Sequence, residues 1–104
     1  MGVRMTQATA MVLQAVASGH RYGFDIMDAT GLHSGTVYPI LRRLEDASLL
    51  RGRWENVAEA HRSNRPQRRF YEITSAGSEY LAEALERLAR TRSFLDSLAR
   101  PKEA

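Results

Sequence analysis

A mainly α domain carrying a two-stranded β-ribbon and a long last helix is the fold class this sequence predicts. Three observations predict it. Apolar residues recur at helical spacing in three segments before residue 48, alternate with polar ones in two segments between residues 49 and 74, and then form one long stripe over residues 75–98. At 104 residues the chain is expected to be one domain, with a core modest enough that oligomerisation is a natural supplement.

Residues 6–17 place Ala8, Met11, Val12, Ala15 and Val16 in the i, i+3, i+4, i+7, i+8 series of an amphipathic helix, capped by Thr6 and stopped by Ser18 and Gly19. Met1 to Met5 show no pattern and are expected to form a loose arm. A shorter helix fits residues 22–30, with Phe24, Ile26 and Met27 apolar and Gly31 able to turn the chain out at positive φ. Ser34 is expected to cap a third helix running to about Ala47. Its buried stripe is Val37, Ile40, Leu41 and Leu44, and Thr36, Tyr38, Arg42, Arg43 and Glu45 fall largely on the other side. Pro39 predicts an irregular first turn or a modest kink, because it removes a backbone hydrogen bond and crowds the carbonyl of Gly35.

From Leu49 the period changes to two. Leu50, Gly52 and Trp54 interleave with Arg51, Arg53 and Glu55, and Arg69, Tyr71 and Ile73 interleave with Phe70, Glu72 and Thr74. The polar stretch from Asn56 to Gln67 lies between them, so an antiparallel hairpin with a long basic tip is expected. Trp54, alternating with arginines, is expected to pack between this ribbon and the body, the alternative being that it stacks on a small ligand. Ser75 is expected to cap a final helix whose stripe is Leu81, Ala84, Leu85, Leu88, Leu95 and Leu98, with Pro101 marking its end. About 24 residues at ~1.5 Å each make a rod of roughly 36 Å, longer than a core of this size covers. Leu81, Leu88 and Leu95 recur every seven residues with Ala84, Thr91 and Leu98 between them, a pattern that resembles a short coiled-coil seam and calls for a partner helix.

Composition excludes several functions. There is no cysteine, hence no disulfide framework or thiolate metal site. The apolar runs fall far short of the ~20 residues a membrane helix needs, and no apolar signal segment opens the chain, so a soluble cytoplasmic protein without a membrane partner is expected. His20, His33 and His61 have no second ligand at i+3 or i+4, so neither metal nor cofactor is expected. No nucleophile stands beside a base and no Gly-rich phosphate loop follows a strand, so the chain is not read as an enzyme.

The charge is informative. The formal net charge is +3, fourteen of the fifteen basic residues are arginine, and residues 51–69 hold Arg51, Arg53, Arg62, Arg65, Arg68 and Arg69 against Glu55 and Glu59. That segment carries +4, which leaves the rest of the chain at −1. A concentrated arginine patch on a near-neutral body is suited to phosphate, whose oxygens match the flat guanidinium fork. Arg65, Arg68 and Arg69 are the first phosphate candidates, Arg51 and Arg53 the next.

Three helices, a ribbon and a further helix is the order of a winged helix-turn-helix, with Gly31 in the turn. In that arrangement the third helix enters the major groove of double-stranded DNA and the ribbon lies on the flanking backbone or minor groove. Thr36 and Tyr38 then reach phosphates or bases from the helix N-terminus, together with Ser34 and Gly35, and His33 just before the helix is a phosphate candidate. Arg42 and Arg43 point to different sides of a helix, so one is expected to face DNA and the other to pair with Glu45 or Asp46.

Residues 21–80 carry a family resemblance. Tyr22-Gly23 opens the second helix, Ser34-Gly35-Thr36-Val37-Tyr38-Pro39 opens the third, Arg42-Arg43-Leu44-Glu45 closes it, and a wing runs from Arg65-Pro66 to Thr74 and Gly77. In these the chain resembles the PadR family of bacterial transcriptional regulators, with Ser34-Gly35 where many members have Ser-Pro-Gly and Phe70 where Tyr is frequent. The resemblance implies a repressor acting at an operator, and it makes Tyr22 a DNA-backbone contact and Pro39 part of the recognition run. The single helix after the wing is similar to the compact subfamily, in which the first and last helices build a homodimer. That implies a dimer surface of Met11, Leu81, Leu85, Leu88, Leu95 and Leu98. Residues 1–74 are accordingly read as the DNA-binding domain and residues 75–104 as a dimerisation helix packed on it. Some members take a small aromatic effector near the dimer interface; the tryptophan that stacks it lies on the last helix, where this chain has none, so no effector site is carried over.

The rival reading is a winged helix that binds protein or senses a ligand without reading DNA. It predicts a ribbon whose charge is paired internally and a third helix with an apolar exposed face.

Overall fold

A computed structural model describes residues 4–102, so the first three residues of the expected arm and the last two of the chain lie outside the described residues. The elements run α1 (Gln7–Ala17), α2 (Gly23–Thr30), α3 (Ser34–Asp46), β1 (Leu50–Trp54), α4 (Val57–Arg62), β2 (Arg69–Ile73) and α5 (Ser75–Leu98). Met5, expected in a loose arm, packs against the core.

Each helix end has a local cause. The hydroxyl of Thr6 accepts the amide of Thr9 at 3.1 Å and starts α1. The residue that starts α3 is His33 rather than the expected Ser34: the chain turns at His33, Ser34 is already helical, and the His33 carbonyl accepts the amides of both Thr36 and Val37 at 2.9 Å. α3 continues unbroken through Pro39; Gly35, whose carbonyl loses its helical donor, is exposed and lies in the first turn. α1, α3 and α4 close alike. A left-handed residue follows the cap (Gly19, Ser48 and Asn64, at φ 101, 61 and 54), and the next amide reaches back to Ala15, Leu44 and Ala60 at 3.0, 2.9 and 3.2 Å. Gly31, at φ 75, ends α2 in the turn before α3.

β1 pairs antiparallel with β2, from Leu50 opposite Ile73 to Trp54 opposite Arg69. The ribbon is tied to the start of α2 as well: Tyr22 bridges Phe70, and the amide of Tyr71 donates to the carbonyl of Arg21 at 2.9 Å. The cap of α5 is Thr74, one residue before the expected Ser75, because its hydroxyl is the one in reach of the Gly77 amide at 3.0 Å while it donates to the carbonyl of Ser48 at 2.7 Å. A Cβ at residue 77 would collide with the carbonyl of Leu49, so glycine is what lets α5 lie against the chain entering β1.

One core joins Leu13 of α1, Ile26 of α2, Leu41 and Leu44 of α3, Leu50 of β1 and Leu81 of α5. Truncating any of these to Ala costs about 2–5 kcal/mol. Only the first half of α5 takes part. Leu81 is 6% exposed and Ala84 is buried, whereas from Leu85 onward the apolar side chains are exposed, ending with Leu98 at 64%. The molecule is accordingly drawn out, with extents of 71 × 27 × 21 Å. Among the described residues, no helix is long and apolar enough to cross a membrane.

Candidate nucleic-acid interface

The outer face of α3 is polar. Ser34, Gly35, Thr36, Tyr38, Pro39, Arg42 and Arg43 are all exposed, as is His33 before them. Tyr38 leans back on α2, where a Cβ at Gly23 would sit 2.5 Å from its hydroxyl, so the glycine after Tyr22 makes room for this ring. Helical spacing puts Arg42 on the side of Tyr38 and Glu45, and Arg43 on the side of Pro39 and Asp46. The expected pairing of one of them with Glu45 or Asp46 does not form. Arg69 of β2 takes Glu45, and among the described residues no ion pair reaches Arg42 or Arg43.

Register divides the ribbon's side chains between two faces. Leu50, Gly52 and Trp54 share one with Tyr71 and Arg69, and Glu45 reaches across Gly52 to Arg69, so this face is turned to α3. Arg51 and Arg53 stand on the other face, where Arg53 Nε pairs with Glu72 at 2.8 Å. The structure therefore does not gather the arginines of residues 51–69 into one patch. Glu45 and Glu72, paired into the segment from outside it, lower the local sum from +4 to +2.

The tip between the strands is not the expected loop. Asn56 accepts the amides of Ala58 and Glu59 at 2.8 and 3.3 Å and starts the short α4, which ends at Asn64 in the left-handed conformation. The signal was present in the sequence as a capping residue followed three positions later by Glu, with Asn after the last turn. α4 carries Arg65 back to Glu55, the residue whose role sequence reasoning missed. Glu55 is only 4% exposed. Both its oxygens accept from the guanidinium of Arg65, Oε2 at 2.8 Å. The Arg68 amide donates to Oε1 at 3.3 Å, Arg68 Nη2 lies 3.5 Å from Oε2, and the hydroxyl of Tyr22 donates to Oε2 at 3.4 Å. The Arg65 hydrogen bonds, joined by the Arg68 amide, hold the carboxyl well below its usual range, at about 2, against the opposing pull of burial. Arg65 is correspondingly held above its ordinary value, chiefly by the same hydrogen bonds.

Tyr22 sits between this clasp and α3. It is half-buried, Arg68 Cζ lies 4.1 Å over its ring and Phe70 stands 6.2 Å away. A hollow of about 240 Å³ opens here between α2, α3 and β2, lined by Tyr22, Phe24, Tyr38, Arg68 and Arg69 among others. Trp54 does not pack between ribbon and body. It closes β1 beyond the last core residue of its face and is 63% exposed, with Arg69 Cζ 5.4 Å from its ring.

Of the expected dimer residues, Leu81 is buried within its own chain. Met11 is half-buried, and with Leu85 and Leu88 it lines an open apolar groove of about 460 Å³ between α1, the end of α2 and α5. Leu95 and Leu98 continue the exposed stripe, and Phe94, which the heptad pattern passes over, is exposed beside them.

The family model described as "Transcriptional regulator PadR-like family" matches residues 12–83. A protein of Lysinibacillus sphaericus, itself uncharacterized, is 23% identical over 95 residues, covering 84% of this chain and 83% of its own. Among solved structures, a PadR family transcription regulator from hypervirulent Clostridium difficile R20291 superposes with a TM-score of 0.79 at 18% identity, over 91% of this chain and all of that one. A PadR-like transcriptional regulator from Bacillus cereus superposes with a TM-score of 0.73 at 22% identity, over 90% and 92%. At these identities the superpositions establish the fold, that of PadR-like regulators.

Proposed function

This chain belongs to the PadR-like family of transcriptional regulators, not of enzymes, and from that premise we propose that it represses transcription as a homodimer bound to a dyad-symmetric operator. The observation that carries the reading is the outer face of α3, polar along its length and bearing two arginines, Arg42 and Arg43, that no carboxylate among the described residues pairs. Residues 1–74 read DNA and residues 75–104 dimerise. His33, Ser34, Gly35, Thr36, Tyr38 and Pro39 meet the duplex at the start of the recognition helix, where the free amides favour phosphate. Arg42 and Arg43 reach base edges or phosphates from its length. Arg68, half-exposed and only loosely held, exchanges Glu55 for a phosphate beside Tyr22, and Arg51, Arg53 and Arg69 add to the field. Arg65, locked on Glu55, shapes the tip instead.

Two copies joined through Met11, Leu85, Leu88, Leu95 and Leu98 set the recognition helices about one helical turn (~34 Å) apart, in successive major grooves. A bound dimer represses by excluding polymerase from an overlapping promoter. A mobility-shift assay with the duplex upstream of its own gene tests the reading: a shift that weakens with salt is expected, and no shift on that DNA at low salt would refute it.

One observation favours a winged helix that binds protein or ligand without reading DNA: four arginines of the ribbon and its tip are paired internally. The exposed face of α3, which that reading requires to be apolar, is polar instead.

A further inference from the structure

Trp54 is a bare indole held in place. It sits at the outer end of the ribbon face that is turned to α3, with the guanidinium of Arg69 5.4 Å from its ring centroid and Arg69 itself fixed by Glu45. An aromatic supported by a cation on one side and open on the rest is preorganised to receive a flat apolar surface. Its surroundings select which one. Arg68, half-exposed and only loosely held by Glu55, lies on the approach to β2, and Arg42, in no ion pair among the described residues, stands on the side of α3 that faces the ribbon, so the occupant is a polyanion with apolar edges. A second copy of this chain has a different surface to meet, the apolar groove of α1 and α5, which shares no residue with this one.

We infer that Trp54 is a DNA wedge: its indole lies against the sugar and base edges of the minor groove flanking the major groove that takes α3. The inference rests on the DNA-binding reading above and adds to it a contact that carries no charge. Apolar side chains used in this way partly unstack a base step and bend the duplex, which makes the affinity depend on how easily the flanking sequence deforms.

Trp54 is the only tryptophan of the chain, so its emission reports the contact directly. The labelled upstream duplex is titrated with the full protein at low salt, following label anisotropy for binding and Trp54 emission for the contact. The wedge predicts that both change together, and that Trp54→Ala weakens binding about ten- to a hundredfold while leaving the slope of log affinity against log salt unchanged. Trp54→Phe, which keeps a ring at this exposed position, retains most of the affinity. Anisotropy that rises with Trp54 emission unmoved, or a Trp54→Ala affinity equal to the parent's, overturns the wedge and leaves the DNA-binding reading standing. If anisotropy does not rise at all, the DNA-binding reading falls and the wedge falls with it.

Discussion

Around the ribbon, four of the six arginines of residues 51–69 end on carboxylates of the same chain, whereas along α5 from Leu85 the apolar side chains end in solvent. The ribbon is completed within one subunit: Glu55 closes the tip, Glu45 ties β2 to α3, and Tyr22 ties the whole to α2. Among the described residues, nothing covers the apolar side chains of the far half of α5. On the proposed function, a change at the ribbon acts on the shape and charge of one DNA-reading unit, while a change at α5 acts on whether two units are held together.

The sharpest break of that contrast is at α5. In a two-fold symmetric dimer Leu88→Glu strikes the seam twice, each time removing about 1.5–3 kcal/mol of apolar burial and placing an unpaired carboxylate there. The expected result by light scattering is a mass near 11.7 kDa instead of twice that. A stable dimer of the variant would put the interface elsewhere. Because Leu88 is exposed in the single chain, the variant keeps its helical circular dichroism.

The paired and unpaired arginines differ next. Arg42→Ala and Arg43→Ala are expected to weaken operator binding by about 1–3 kcal/mol where they read a base edge, or to lower the salt slope by about 0.9 where they meet a phosphate. Arg65→Ala is expected to leave the salt slope unchanged, since its guanidinium is committed to Glu55. A slope lowered as much by Arg65→Ala as by Arg42→Ala would show that the clasp opens on DNA and that pairing within the free chain does not decide which cations are used.

A smaller effect separates the clasp from the rest of the fold. The folded pKa of Glu55 lies at about 2, below its value in the unfolded chain, so the ionised clasp stabilises the protein fully above the ordinary carboxylate range, about pH 4–5. The contribution is lost as pH falls from there towards 2. Thermal melts over that range are expected to show a decline that Glu55→Gln flattens, with the variant already less stable than the parent at neutral pH. Equal declines in the two proteins would remove Glu55 as its source.

Much of this was legible in the sequence because it is local. Periodicity located α1, α2, α3, both strands and α5 to within about two residues, and the capping pattern at Thr6 and the stop at Gly31 are read directly from residue type. What was not legible depends on distant partners. Ser34 and Ser75 look like caps, but the chain turns one residue earlier in each case, at His33 and at Thr74, whose hydroxyl is also tied to the carbonyl of Ser48 from a distant segment. The arginines of residues 51–69 look equivalent until register sends Arg51 and Arg53 to one face of the ribbon and Arg69 to the other, and until Glu45, Glu55 and Glu72 claim four of them. Glu55, counted in sequence only as a charge to be subtracted, organises the tip. Trp54 was expected to pack between ribbon and body because it stands at a strand position alternating with arginines; the ribbon instead carries it past the edge of the core.

The central claim, that two polar recognition helices on a symmetric dimer read DNA, is tested most directly by binding isotherms of the labelled upstream duplex over a series of salt concentrations, for the parent protein and for the double variant Arg42→Ala/Arg43→Ala. The account predicts one dimer per site, affinity that falls steeply and linearly on logarithmic axes as salt rises, and a clear loss of affinity in the double variant. Binding that is insensitive to salt, or identical in the two proteins, would contradict it.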